Sequence, residues 1–142
     1  MSVQRVSDKM IRVEILGECC SKANSRRMVP GRSKAGKLFM RPIKSDKALS
    51  FLDGAHSQVP IQPVLLEGEL TAHISIWYPS ERNDLDESLV LDVLQGRIYG
   101  NDRQVRERHV YHFIDKANPR VVVLLEPRSI GNADREALKI PI

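Results

Sequence analysis

Between Leu70 and Trp77 apolar and polar residues alternate without a break, with Leu70, Ala72, Ile74 and Ile76 on one side and Thr71, His73, Ser75 and Trp77 on the other. Side chains on a strand alternate with period two, whereas a helix would scatter these residues around its circumference. Val64 to Tyr78 is therefore expected to hold a half-buried strand. Ile11 to Leu16 shows the same alternation up to Ile15 and should open the sheet. Gln104 to Ile114 and Arg120 to Glu126 read as two more strands, joined as an antiparallel hairpin by Asp115-Lys116-Ala117-Asn118-Pro119. Ser45 suits the N-cap of a helix running to about Ser57, with Ala48, Leu49, Leu52 and Ala55 at helical spacing before Pro60 and Pro63. A shorter helix is expected from Asp84 to about Gln95, its stripe being Leu85, Leu89, Val90, Val93 and Leu94, with Gly96 as its stop. Ser21 to Leu38 holds six Lys/Arg, two Gly and one Pro without periodicity, and reads as a long basic loop.

With 142 residues, 42% of them hydrophobic and 28% charged, the chain has the size and composition of one folded domain. The core is expected over about 11–127, with a polar tail over 128–142. The longest apolar run, Val121 to Leu125, falls far short of the roughly 20 residues a membrane-spanning helix needs. Met1 to Met10 lacks the apolar stretch of a secretory signal, so a cytoplasmic location without membrane contact is expected. Cys19 and Cys20 are sequence neighbours, which ordinary disulfide geometry disfavours, and they read as reduced thiols with a core role. The dispersed histidines do not form a zinc pattern.

Charge is polarised along the chain. Met1 to Ala48 carries twelve Lys/Arg against four acids, whereas the remainder carries ten against fourteen. One surface that attracts a polyanion and another that gathers carboxylates would account for this, as would a solvated charged loop. Ser80 to Glu87 places four acids within eight residues just beyond the long strand. In an extended segment Asp84 and Asp86 point to the same side and could share a cation. Two bare charges ~4 Å apart repel by about 4 kcal/mol at an effective dielectric of ~20, which a divalent ion reverses. Oxygen-only ligands favour Mg²⁺, with Mn²⁺ as the alternative. Asp84-x-x-Glu87 also fits a capping box, which explains one acid but not Asp86 or the Asn101-Asp102 pair past the helix.

The runs Arg82-Asn83-Asp84-Leu85-Asp86, Leu91-Asp92-Val93-Leu94-Gln95-Gly96 and Ile98-Tyr99-Gly100-Asn101-Asp102-Arg103-Gln104-Val105 resemble the signature of RusA-type Holliday junction resolvases. The likeness is densest over about residues 77–105 and extends more loosely from Ile11 to Pro127. It implies a single α/β (α+β) domain, with a mixed, largely antiparallel four-stranded sheet and two helices. It also implies a homodimer that cuts opposed strands of a four-way DNA junction with Mg²⁺.

Carried over by position, the family's catalytic and metal-binding aspartates fall on Asp84, Asp86 and Asp102. Lys22, Asn24, Arg26, Arg27, Arg32, Lys34, Lys37 and Arg82 are the expected DNA contacts. Asn24 lies in a stretch resembling the family's early asparagine motif, although that motif's prolines are missing. Glu87 stands where the family has asparagine, and Val90 where it has lysine. Arg82 or a basic residue between Arg26 and Lys37 is the expected substitute, and Glu87 is a further ligand candidate. Trp77 and Tyr78 are candidates for base stacking or for core packing. Bacterial, phage or prophage origin would suit so compact a resolvase. The alternatives are a branched-DNA or flap endonuclease of wider range, and a non-catalytic protein that binds DNA structure.

Overall fold

The computed structural model describes residues 2–21 and 26–129. Seven strands and two α-helices follow one another as β1 (Val3–Ser7), β2 (Met10–Leu16), β3 (Arg26–Arg32), β4 (Leu38–Lys44), α1 (Asp46–Gln58), β5 (Leu70–Tyr78), α2 (Ser88–Leu94), β6 (Val105–Ile114) and β7 (Arg120–Pro127), with a 3-10 turn over Asp102–Gln104. The main sheet has five strands in the order β1-β2-β7-β5-β6, and β3 with β4 forms a separate ribbon. The expected mixed, largely antiparallel α+β fold with two helices is present, but the sheet has five strands, because Val3–Ser7 pairs with β2.

Three cross-strand rows carry the core: Ile15, Val121 and Ile76; Val13, Val123 and Ile74; Ile11, Leu125 and Ala72. All nine side chains are fully buried and join Ala48, Phe51, Leu52 and Ala55 of α1 and the apolar residues of α2 in one cluster. Burying each larger aliphatic side chain is worth about 1.5–3 kcal/mol, so this face sets the register, since a one-residue slip would turn every row to water. The opposite face carries Leu16, Arg120, Trp77 and Phe113 in one row and Arg12, Leu124, His73 and His109 in another. There Trp77 stacks on Phe113 at 4.9 Å between ring centroids, and the Arg120 guanidinium lies 4.1 Å from the Trp77 ring centroid. Trp77 thus belongs to neither the main core nor an open stacking platform.

Several local expectations are met by recognisable chemistry. Ser45 caps α1, its hydroxyl accepting from Ala48 N at 3.2 Å. Gly96 follows α2 at φ 79°, a conformation glycine adopts without side-chain strain. The hairpin of the two last strands does not form: β6 and β7 lie on either side of β5, parallel and antiparallel to it respectively. The long basic loop is largely the β3–β4 ribbon, with its turn at residues 33–37. The second helix begins at Ser88, four residues later than expected, and no side chain of its N-cap residue Glu87 caps it. Asp86 does so instead, its Oδ1 accepting from Ser88 N at 2.8 Å. The capping box predicted at Asp84 occurs between Asn101 and Gln104.

Candidate metal centre and nucleic-acid surface

A parallel pair cannot be closed by a tight turn, so the chain leaving β5 must travel back along the sheet before β6 can start beside Leu70. The acidic residues lie along this return path. Asn83 sits beside His112, whose Nε2 is 3.3 Å from the Asn83 carbonyl, and Glu87 sits beside Arg108, whose Nη1 is 3.0 Å from Glu87 Oε1. Arg108 and His112 are four residues apart on β6, about 13 Å at strand spacing. The chain from Asn83 to Glu87 therefore runs against the direction of β6, with Asp84 and Asp86 between its two ends.

Tyr78 fixes this segment from below. It is fully buried, its hydroxyl donates to the Asp84 carbonyl at 3.0 Å, and it accepts from Asp86 N at 3.2 Å. Burial pushes its hydroxyl up to about 12, so it remains a protonated donor. Cys19 lies under the same loop, with Sγ 3.9 Å from the Asp86 carbonyl. Burial first, then the charges of Cys20 and Asp86, pushes its thiol up to about 12, which makes it an inert packing group. Neither cysteine is in a disulfide and both are buried, as expected.

Past α2 the chain turns at Tyr99, which is fully buried with its hydroxyl oxygen 2.7 Å from the Leu91 carbonyl and 2.9 Å from Asp102 Oδ1, its one proton shared between these acceptors. Asp102 is raised above the ordinary carboxylate range by partial burial and by Asp92, with which it shares a hydrogen bond, while Tyr99 and Arg108 pull the other way. Arg108 thus acts on both halves of the acidic set, through Glu87 at one end and Asp102 at the other. Sequence reading missed it because a lone arginine on a strand carries no local signal.

Asp84, Asp86 and Asp102 consequently all lie in the crossover between β5 and β6, the first two ahead of α2 and the third in the turn before β6. Among the described residues no three His, Cys, Asp or Glu side chains form a group that could hold a metal. The donor chemistry nevertheless suits Mg²⁺: all the candidates are carboxylates, and the Asp92–Asp102 contact is a like-charge pair that a cation would relieve. Val90 is fully buried in the core, so it contributes nothing to this surface.

Of the expected DNA contacts, Arg82 lines a cavity of about 60 Å³ together with Ser21, Lys47, Asn83 and the metal-ligand candidate Asp84. Lys47, unremarked in the sequence, is tied to Glu18 at 2.6 Å. Two wider hollows, about 440 and 540 Å³, border residues 64–68 and include none of the three aspartates. Arg32, Lys34 and Lys37 are exposed on and beside the turn of the ribbon, and Arg26 and Arg27 begin β3. Lys22 and Asn24 lie outside the described residues. No helix among the described residues is long and apolar enough to cross a membrane. No known family matches the chain, and no curated protein is significantly similar to it.

Proposed function

We propose that the chain is a Mg²⁺-dependent endonuclease that resolves Holliday junctions by paired, symmetric cuts. The observation that carries this reading is the carboxylate path from Asp84 to Asp102, anchored by two buried tyrosines and bordered by Arg108. Asp84, Asp86 and Asp102 are the residues that would hold the ion, with Asp92 and Glu87 beside them. A bound divalent ion there supplies an activated water and neutralises charge on the scissile phosphate. Tyr78 sets the position of the Asp84–Asp86 backbone, and Tyr99 orients the Asp102 carboxylate by donating to it. Arg32, Lys34, Lys37 and Arg82 supply positive charge toward the polyanion, joined in the sequence assignment by Lys22, Arg26 and Arg27, with Asn24 as a neutral contact. A C₂ homodimer with one site per subunit matches the symmetry of a four-way junction. A cytoplasmic setting, in a bacterium or its phage, goes with such a substrate.

The test is incubation of synthetic four-way junctions, forks and plain duplex with Mg²⁺, Mn²⁺ or EDTA. Paired symmetric incisions confined to the junction, lost in EDTA and in Asp84→Asn while junction binding persists, support the reading. Cutting of forks and flaps at equal rates assigns the broader branched-DNA nuclease. A specific observation favours a second reading: no three acids form a metal-holding group among the described residues. Tight junction binding without incision in either metal would make the chain a DNA-structure-binding protein.

A further inference from the structure

Among the described residues, the β3–β4 ribbon contributes no side chain to the hydrophobic core. Its register places Met28 opposite Pro42, Pro30 opposite Met40 and Arg32 opposite Leu38, so these six residues share one face. All six are exposed, with Met28 and Met40 each 56% and Leu38 61% accessible. An apolar face of this kind on a projecting two-stranded element marks an interaction surface.

The charge of the ribbon selects the partner. Residues 26–44 contain Arg26, Arg27, Arg32, Lys34, Lys37, Arg41 and Lys44 and no acid. Seven like charges oppose the approach of a second copy of this ribbon, and Pro30 and Pro42 lack the N–H groups that edge-to-edge strand pairing needs. The same charges attract a nucleic-acid backbone. A two-stranded ribbon fits a DNA groove about 12 Å wide, and apolar side chains inserted at a step unstack the bases beside them. On the other face the Phe39 ring lies over Gly31, where an added Cβ would meet it at 3.0 Å.

We propose that the apolar face of the ribbon, formed by Met28, Pro30, Leu38 and Met40, is a wedge that packs against bases opened at the branch point of DNA, while the ribbon's cations hold the flanking phosphates. The inference rests on the branched-DNA reading above and assigns its structure selectivity to this face. Branch points are where a wedge finds bases already close to unpaired, so the cost of unstacking is lowest there.

The test uses the full chain and a four-way junction carrying 2-aminopurine next to the branch point, in EDTA, so that no cleavage is required. Saturating wild-type protein raises the fluorescence as the base unstacks. Met28→Ala with Met40→Ala abolishes the rise and weakens binding about tenfold, the effect of losing roughly half the burial of two methionine side chains. Its salt dependence stays as in the wild type. Lys34→Ala with Lys37→Ala does the reverse, making the slope of log K against log [salt] shallower by about 1.8 while keeping the fluorescence rise at saturation. Met28→Leu with Met40→Leu restores the wild-type signal. Because the ribbon stands outside the core, all three variants should melt at the wild-type temperature.

A fluorescence rise that survives in the alanine variant overturns the wedge, as does an alanine variant that alters only the salt slope. A wild type that cuts junctions without any rise overturns the wedge and leaves the nuclease reading standing. A rise without cleavage in Mg²⁺ or Mn²⁺ supports the wedge and removes the nuclease. Failure to bind branched DNA at all overturns both.

Discussion

Removing one oxygen atom, by Tyr78→Phe, separates the role of the fold from that of the acidic segment. The ring keeps its place in the core, since Tyr78 is fully buried. Two hydrogen bonds disappear, one to the Asp84 carbonyl at 3.0 Å and one from Asp86 N at 3.2 Å. At about 1 kcal/mol net for each bond, the loss is about 2 kcal/mol, less whatever solvent recovers at the half-exposed loop. For a domain of this size that corresponds to a fall in melting temperature of up to about 7 °C. The residual stability would keep nearly all the protein folded at 25 °C, so any larger loss of cleavage reports displacement of Asp84 and Asp86. A shift of about 1 Å in such groups costs on the order of a hundredfold in rate. Thermal melts beside single-turnover junction cleavage read both effects. A variant that melts within 1 °C of wild type and cuts at the wild-type rate would refute the anchoring role assigned to this hydroxyl.

Asp102→Asn should stabilise the metal-free protein at neutral pH, where the ionised carboxylate meets Asp92. The raised folded-state value means that protonated Asp102 favours folding below the unfolded pKa, a benefit lost as pH rises through the folded one. The advantage of the asparagine variant should therefore shrink on acidification and vanish once both states are protonated, which melts in EDTA across pH would check. Arg108→Gln should change stability by less than about 1 kcal/mol, because its pair with Glu87 is partly solvated, but should tighten Mn²⁺ binding measured by electron paramagnetic resonance. Unchanged or weaker Mn²⁺ binding would remove Arg108 from the electrostatics of the site. Native protein at pH 8 should leave Cys19 unmodified by a maleimide until denaturant is added, since its thiol is buried and pushed up to about 12.

The elements that local chemistry specifies were legible in the sequence. Alternation marked β2 and β5, the Ser45 hydroxyl marked the start of α1, and Gly96 marked the end of α2. Pairing was less legible, because alternation identifies a strand without identifying its neighbour. The Asp115–Pro119 segment resembles a hairpin loop, yet β5 separates β6 from β7, and the gain from burying β5 on two sides decides the matter. The ribbon was hidden by arginines, prolines and exposed methionines, which follow no core-facing period. The acids were legible as a set, but their spacing in space was not. The parallel crossover draws the segment past Tyr78 into a line along β6, and Arg108 meets that line from a strand more than twenty residues further on.

The position of β7 between β2 and β5 carries a consequence for synthesis on the ribosome. Residues 10–16 and 70–78 each need a partner that the chain provides only at 120–127. Until that stretch clears the exit tunnel, the early apolar strands have no joint sheet to complete, and the acidic crossover has no settled floor beneath it. Translation pauses before residues 120–127 have cleared the tunnel should therefore prolong an aggregation-prone nascent state.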